Sequence, residues 1–128
     1  MVKIKIAFAS EENAGLESHL SPHFGRCPYY VFVEVENGKI RNVEVKENPY
    51  FSRHVPGAVP QFIAGQGAKV IVAGGMGPRA IDWFRKLGVQ PVTGVSGKIK
   101  DILKDYLAGR IQLEAEPCGE HKGVGYRI

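Results

Sequence analysis

A short apolar run followed by a glycine-rich turn constrains the fold of this chain more than any other feature. Residues 69–73 read Lys-Val-Ile-Val-Ala, which is typical of a strand buried on both faces. The run ends at residues 74–77 (Gly-Gly-Met-Gly), and Pro78 then fits the first turn of a helix. Because a strand buried on both faces needs helices on both sides of its sheet, this segment predicts an α/β protein.

The helix expected after this proline has its apolar residues on one side. Ile81, Phe84 and Leu87 recur at helical spacing, so we expect all three to be buried and the helix to stop at Gly88. Trp83 borders this stripe and is expected to pack against neighbouring residues.

Another strand and helix are expected further along the chain. Residues 89–92 predict a short strand, and Pro91 favours the edge of the sheet because it cannot donate a ladder hydrogen bond. A last helix is expected to be capped by Ser96 or Gly97 and to end at Gly109.

The first half of the chain has strand periodicity. Residues 2–9, 29–35 and 39–46 alternate or are rich in β-branched and aromatic residues, and Asn37-Gly38 predicts a tight hairpin. A short helix is expected at 58–66. The resulting order, β-β-β-α-β-α-β-α, ends in a βαβ unit and predicts a mixed five-stranded sheet with helices on both faces. We assign residues 1–115 to this one domain and 116–128 to a polar tail.

Composition and charge exclude several classes of protein. A net charge of +4 from scattered lysines and arginines does not indicate a nucleic-acid partner. No apolar stretch approaches the ~18 residues of a membrane span, and the first residues lack the apolar core of a signal peptide. We therefore expect a cytoplasmic protein. Cys27 and Cys118 form no CxxC pair, so a closed zinc site is not expected.

One edge of the predicted sheet should collect the residues capable of binding chemistry. In open α/β sheets, ligands bind beyond the carboxyl ends of the parallel strands. The connections at 10–28, 47–57, 74–78 and 93–97 should meet there. They bring together His19, His23, Arg26, Cys27, Arg53, His54, Met76 and Arg79.

This set of side chains favours a metal-containing anion. Imidazole and thiolate groups suit iron, zinc and copper, whereas arginines and glycine amides at a helix N-terminus suit an anion. Together they predict a site for a bulky anionic metal cluster. One alternative is a regulatory module that binds a small molecule or anion at residues 74–79 without metal. Another is a surface whose glycines merely shape turns.

Each candidate residue also has a structural interpretation. His23 could brace its loop, Cys27 could be a small core residue, and His54 could be an exposed loop residue. Met76 could pack in the core rather than line a pocket, and Arg79 could pair with a carboxylate. In the tail, Cys118 and His121 lie three positions apart and could both reach one ion, or could simply be solvated.

The sequence carries no convincing catalytic or nucleotide-binding motif. Residues 75–80 match G-x-G-x-x-A, but no acidic residue lies between Asp82 and Asp101 to bind a ribose. The strand order suggests a ribonuclease-H-like layout, yet the first strand carries no carboxylate for two-metal chemistry. No P-loop, nucleophile elbow or acid–base pair is present. We therefore expect a binding protein rather than an enzyme.

Three segments together carry a family resemblance. They are residues 21–30 (Ser-Pro-His-Phe-Gly-Arg-Cys-Pro-Tyr-Tyr), 74–80 (Gly-Gly-Met-Gly-Pro-Arg-Ala) and 94–97 (Gly-Val-Ser-Gly). The chain resembles, over residues 2–110, the dinitrogenase iron–molybdenum cofactor-binding (nitrogenase accessory factor) family. The matching positions are His23, Phe24, Gly25, Arg26, Pro28, Tyr29, Gly75, Gly77, Pro78, Arg79 and Ala80.

The resemblance implies both a fold and a function. The implied fold is a three-layer α/β/α, ribonuclease-H-like domain with strand order 3-2-1-4-5 and strand 2 antiparallel. The implied function is non-catalytic binding of an iron–sulfur-type cluster, in partnership with cluster-assembly or acceptor proteins. We separately expect a monomer or weak homodimer. Combined with the edge argument, the resemblance gives a cofactor-binding set of His23, Phe24, Gly25, Arg26, Cys27, His54, Gly74, Gly75, Met76, Gly77 and Arg79. The candidate metal ligands are His23, Cys27, His54, Cys118 and His121.

Overall fold

A mixed five-stranded sheet forms the centre of the protein. The structure, a computed structural model, describes residues 3–51, 55 and 57–109. The strands lie in the order β3-β2-β1-β4-β5, with β2 antiparallel to both neighbours and β1, β4 and β5 parallel. This confirms the predicted order and the antiparallel second strand. The strands are β1 (Lys3–Ser10), β2 (Tyr29–Glu36), β3 (Lys39–Glu47), β4 (Val70–Val72) and β5 (Gln90–Val92).

Helices cover both faces of the sheet, as a strand buried on both faces requires. The helices α1 (Ala58–Gly65) and α2 (Pro78–Lys86) pack on one face, and α3 (Ile99–Leu107) packs on the other. Alternation along β1 sends Ala7 and Ala9 to the first face and Ile6 and Phe8 to the second. The three-layer α/β/α architecture expected from the sequence is therefore confirmed. Among the residues described, no helix is long and apolar enough to cross a bilayer.

Two details of the helices differ from the sequence prediction. Leu87 was expected to be buried, but it lies at the C-terminus of α2 and is 37% exposed. Gly88 turns the chain with φ +79°, so Val89 takes the buried position instead, at 3% exposed. The predicted cap of the last helix at Ser96 or Gly97 is also wrong.

The chain enters α3 one residue later than predicted. Lys98 is the N-cap residue of α3, and no side chain among the residues described caps this helix. Gly97 has φ +112°, and its carbonyl accepts a hydrogen bond from the Leu20 amide (2.8 Å). Gly97 is therefore tied to the loop after β1. The extended piece expected at 110–115 and the tail at 116–128 lie outside the described residues.

Candidate functional site

Two segments that are far apart in sequence lie side by side at the carboxyl edge of the sheet. The Ser21 amide donates to the Ala9 carbonyl (2.8 Å), which ties the loop after β1 to the end of that strand. The Gly74 amide then donates to the Ser21 carbonyl (2.9 Å), and the Phe24 amide donates to the Gly75 carbonyl (3.0 Å). Residues 21–26 and 74–79 are thus joined by main-chain hydrogen bonds, and we call them together the motif frame.

Gly74 is required by the closeness of these two segments. A Cβ atom at this position would lie 2.8 Å from the Pro22 Cα and 3.3 Å from the Ser21 carbonyl oxygen. Both neighbours are backbone atoms, and the Ser21 carbonyl is held by the Gly74 amide, so they cannot move aside cheaply. The glycine therefore fixes the separation of the two halves of the motif frame.

A buried asparagine holds the next part of the loop. Asn48, 5% exposed, follows β3 and donates through Nδ2 to the carbonyls of Cys27 (2.9 Å) and Gly25 (3.3 Å). Its Oδ1 accepts from the Tyr50 amide (2.9 Å). Sequence reasoning did not single out this residue. The only signal was Asn-Pro directly after a strand, a combination that favours a side chain to backbone turn.

A buried thiol and phenol lie beneath the motif frame. Cys27 and Tyr30 are both fully buried. Burial raises the pKa of the Cys27 thiol, and burial raises the pKa of Tyr30, with the nearby thiol as a second cause. Within the described part of the chain the Tyr30 hydroxyl makes no well-formed hydrogen bond, although the thiol is close enough to affect its pKa. Cys27 is therefore a neutral thiol at physiological pH, and a neutral thiol is a poor metal ligand.

A cleft of about 790 Å³ opens beside the motif frame. Arg26 and Arg79 line it and are exposed, and none of its described lining residues is acidic. Its walls are otherwise apolar and aromatic. The lining residues are Phe24, Gly25, Arg26, Tyr50, Phe51, Val55, Gly57, Val59, Pro60, Gly77, Arg79, Ala80 and Trp83.

The amino end of α2 adds positive potential to this cleft. Gly77 is the N-cap residue in an extended conformation, Pro78 begins the helix, and none of the described side chains caps the end. The free amides of a helix N-terminus carry a partial positive charge, which Arg79 in the first turn increases. The cleft therefore suits an anion with a bulky, weakly hydrated body.

The aromatic wall of the cleft was missed by sequence reasoning. Phe51 is 57% exposed and Trp83 is 37% exposed, which is unusual for such large apolar side chains. Trp83 packs over Gly57, where a Cβ would lie 2.6 Å from the indole ring. The connection at 47–57 was expected at this edge, but only its arginine and histidine were singled out. The adjacent aromatic pair Tyr50-Phe51 was the available signal.

The structure gives the predicted cofactor-binding residues different positions. Phe24, Gly25, Arg26, Gly77 and Arg79 line the cleft. Gly74 and Gly75 support it through their backbone, and Met76 is 2% exposed and packs in the core beneath α2. His23 is exposed, whereas Cys27 is buried. His54 lies outside the described residues, as do Arg53, Cys118 and His121.

His19 does not join the cleft, although its loop was expected at this edge. Its Nδ1 lies 3.0 Å from Glu12 Oε2, and its backbone pairs with Lys98. This pairing directs the residue toward the α3 side of the sheet. Over residues 3–51, 55 and 57–109, no three His, Cys, Asp or Glu residues cluster closely enough to hold a metal ion.

Comparisons with known proteins place the chain in a family. The family model described as "Dinitrogenase iron-molybdenum cofactor" matches residues 2–109. An uncharacterized protein of Methanocaldococcus jannaschii is 34% identical over 111 residues, which cover 85% of this chain and 90% of that protein.

Solved structures share the same fold. The crystal structure of PH0822 is similar with a TM-score of 0.78 and 40% identity, covering 87% of this chain and 96% of that one. The apo form of the orange protein from Desulfovibrio gigas also has a TM-score of 0.78, with 26% identity over 88% and 94% of the two chains. The chain belongs to the dinitrogenase iron–molybdenum cofactor family.

Proposed function

We propose that this protein binds and carries an anionic iron–sulfur-type cluster, such as the iron–molybdenum cofactor or a precursor, without transforming it. The observation that carries the proposal is the cleft, in which Arg26, Arg79 and the uncapped end of α2 add positive charge to apolar walls. A metal–sulfur cluster is a bulky anion with a polarisable surface, and it matches such a cleft in both respects. The family description supports the same class of cargo.

Capture is proposed to come first and ligation second. The arginines attract the cluster by charge, and exposed His23 is the candidate ligand that is already accessible. Cys27 would become a ligand only after its loop moves and its thiol loses a proton, because a ligating thiol must be deprotonated. His54, Cys118 and His121 stay candidate ligands from outside the described residues.

We propose that the protein works in the cytoplasm as a monomer or weak homodimer and exchanges its cargo with cluster-assembly or acceptor proteins. Both edges of the sheet support the low oligomeric state. The β3 edge carries a bulge, in which Arg41 is the extra residue opposite Glu34 and Val35, and β5 has Pro91 within only three residues. Bulges and prolines hinder strand pairing between molecules.

A second candidate function is metal-independent binding of a small anionic molecule. The same arginines and the free amides at the amino end of α2 favour it, because neither needs a metal to bind an anion. The two functions predict different responses to metal and can be separated by one experiment.

The experiment offers an extracted iron–molybdenum cluster to the protein without oxygen and measures bound metal and visible absorption. The test variant is Arg26→Gln/Arg79→Gln. The matched control is Lys69→Gln/Lys104→Gln, which removes the same charge at exposed positions that do not line the cleft. Stoichiometric binding that only the arginine variant loses supports the carrier. Equal binding by both variants contradicts it, and inorganic phosphate that displaces the cluster completely favours the anion-binding module.

A further inference from the structure

One buried amide connects the two walls of the cleft. Asn48 bonds through its side chain to the carbonyls of Gly25 and Cys27, on the segment that follows Phe24 and includes Arg26. The same side chain accepts the Tyr50 amide (2.9 Å), and its backbone carbonyl accepts the Phe51 amide (3.2 Å). Its own amide donates to the Pro28 carbonyl (2.9 Å). Asn48 therefore connects the Gly25–Cys27 segment, which carries Arg26, with the aromatic wall at Tyr50 and Phe51.

We propose that Asn48 is the positioning residue of the cleft. It sets the distance between Arg26 and the aromatic wall, and it holds the Gly25–Cys27 segment closed over the thiol. The proposal rests on the proposed function to the extent that the cleft is the cargo site. It also assigns a role to a residue that is not among the described lining residues of the cleft and carries no charge.

Only an amide satisfies this position. The side chain must donate to two carbonyls and accept from one backbone amide at the same time, and asparagine has both groups. Aspartate has nearly the same shape, but its carboxylate would face the two carbonyl oxygens and could only accept hydrogen bonds. Asn48→Asp therefore keeps the side-chain volume but replaces two donated hydrogen bonds with repulsion between oxygen atoms.

The effect of Asn48 is expected to be local. The two buried clusters on the faces of the sheet are formed by apolar side chains, and Asn48 belongs to neither. Loss of its hydrogen bonds removes the attachment of one short segment, and such segments open without global unfolding. The predicted result is a folded protein with a loosened Gly25–Cys27 segment.

Accessibility of the Cys27 thiol tests the inference directly. The chain has two cysteines, so Cys118→Ser leaves Cys27 as the single thiol. In this background the rate of reaction with an aromatic disulfide reagent is measured at fixed pH. Asn48→Asp is expected to react on the order of tenfold faster, since the lost hydrogen bonds favour opening. Asn13→Asp adds the same charge at an exposed position and should react at the parental rate.

Cluster affinity gives the second readout. With the extracted iron–molybdenum cluster, Asn48→Asp is expected to bind roughly tenfold more weakly at unchanged stoichiometry, because Arg26 loses its position. If the thiol reacts faster but the cluster affinity is unchanged, the positioning role is overturned while the carrier function stands. No binding by the parent protein would contradict the carrier function, and the thiol rate would still decide whether Asn48 closes the segment.

A less disruptive substitution at the same position keeps the inference testable if Asn48→Asp does not fold. Asn48→Ser keeps one donor and one acceptor and should react at an intermediate rate if Asn48→Asp does not fold. Circular dichroism checks that each variant is folded. A parental thiol rate in a folded Asn48→Asp or Asn48→Ser protein would overturn the inference.

Discussion

The two faces of the sheet are packed with different kinds of side chain. The face under α3 is packed with aliphatic side chains and Phe8. The face under α1 and α2 contains Cys27, Tyr30 and Met76 together with several aromatic rings. The Phe24 ring makes an edge contact with Phe84 (5.1 Å between centroids), so this core continues directly into the cleft. One face therefore mainly stabilises the fold, whereas the other both stabilises the fold and supports the candidate site.

Truncations on the two faces should separate these roles, and they have the largest expected effects. Phe84→Ala should lower the free energy of unfolding by about 3–5 kcal/mol and Leu103→Ala by about 2–5 kcal/mol, because both side chains are fully buried. Urea denaturation measures both losses. Only Phe84→Ala should also weaken cluster binding, since it removes the support of Phe24. Equal loss of binding in the two folded variants would contradict a division between the faces.

A substitution within the motif frame should have the next largest effect. Gly74→Ala places a Cβ 2.8 Å from the backbone of Pro22 and should cost about 1–3 kcal/mol of stability. Gly65→Ala is the matched control, because a Cβ there meets nothing within 4 Å and its φ is not positive. The control should be neutral or stabilising by roughly 0.5–1 kcal/mol in urea denaturation. A harmless Gly74→Ala would show that the motif frame is not held as closely as described.

Alkaline pH should destabilise the protein through the buried thiol and phenol on the face under α1 and α2, and also through the partly buried Tyr106 on the α3 face, because burial raises the pKa of that phenol too. Burial raises the pKa values of Cys27 and Tyr30, so the folded protein holds these protons more tightly than the unfolded chain does. The contribution of the thiol to the free energy of unfolding is fully present below the ordinary thiol pKa of 9.0, and it is lost as the pH rises above that value. Each buried group can lower the free energy of unfolding by up to about 1.4 kcal/mol per pH unit.

Cys27→Ala provides the comparison for this pH effect. Urea midpoints measured between pH 8 and 10 should fall more steeply for the parent than for Cys27→Ala, with Cys118→Ser in the parent to leave one thiol. Parallel profiles would mean that the Cys27 thiol does not contribute to the alkaline loss.

Trp83 should give the smallest effect and sharpen the position of the cargo. It is the single tryptophan in the chain and lines the cleft. Its fluorescence emission should be quenched when an extracted cluster binds. The unfolding midpoint should change only by the amount expected from ligand binding. The Arg26→Gln/Arg79→Gln variant should show no quenching at the same cluster concentration. Quenching in that variant would place the cargo elsewhere on the protein.

The sequence predicted the fold more completely than the site. Strand alternation, Asn37-Gly38 and Pro78 are local signals, and local signals determine the type and order of the elements. The errors also have local causes: Leu87 fits the helical period, but the left-handed turn at Gly88 gives the buried position to Val89.

The site depends on contacts that no local pattern reports. Asn48 meets Cys27 across 21 positions, and Trp83 meets Gly57 across a helix and a strand. The arginines of the cleft were identified from their motifs, whereas the aromatic wall was not. The assignment of His23 and Cys27 as metal ligands stays a prediction, as does that of His54, Cys118 and His121.

The motif frame has a consequence for how new specificities arise in such a protein. Its two halves are joined by main-chain hydrogen bonds and by the absence of a side chain at Gly74. The geometry of the opening is therefore largely independent of which side chains occupy His23, Arg26 or Arg79. Substitution at these positions can change the charge and donor set presented to a ligand while the scaffold keeps its form. We therefore expect single substitutions at these positions to change which ligand the protein prefers without unfolding it.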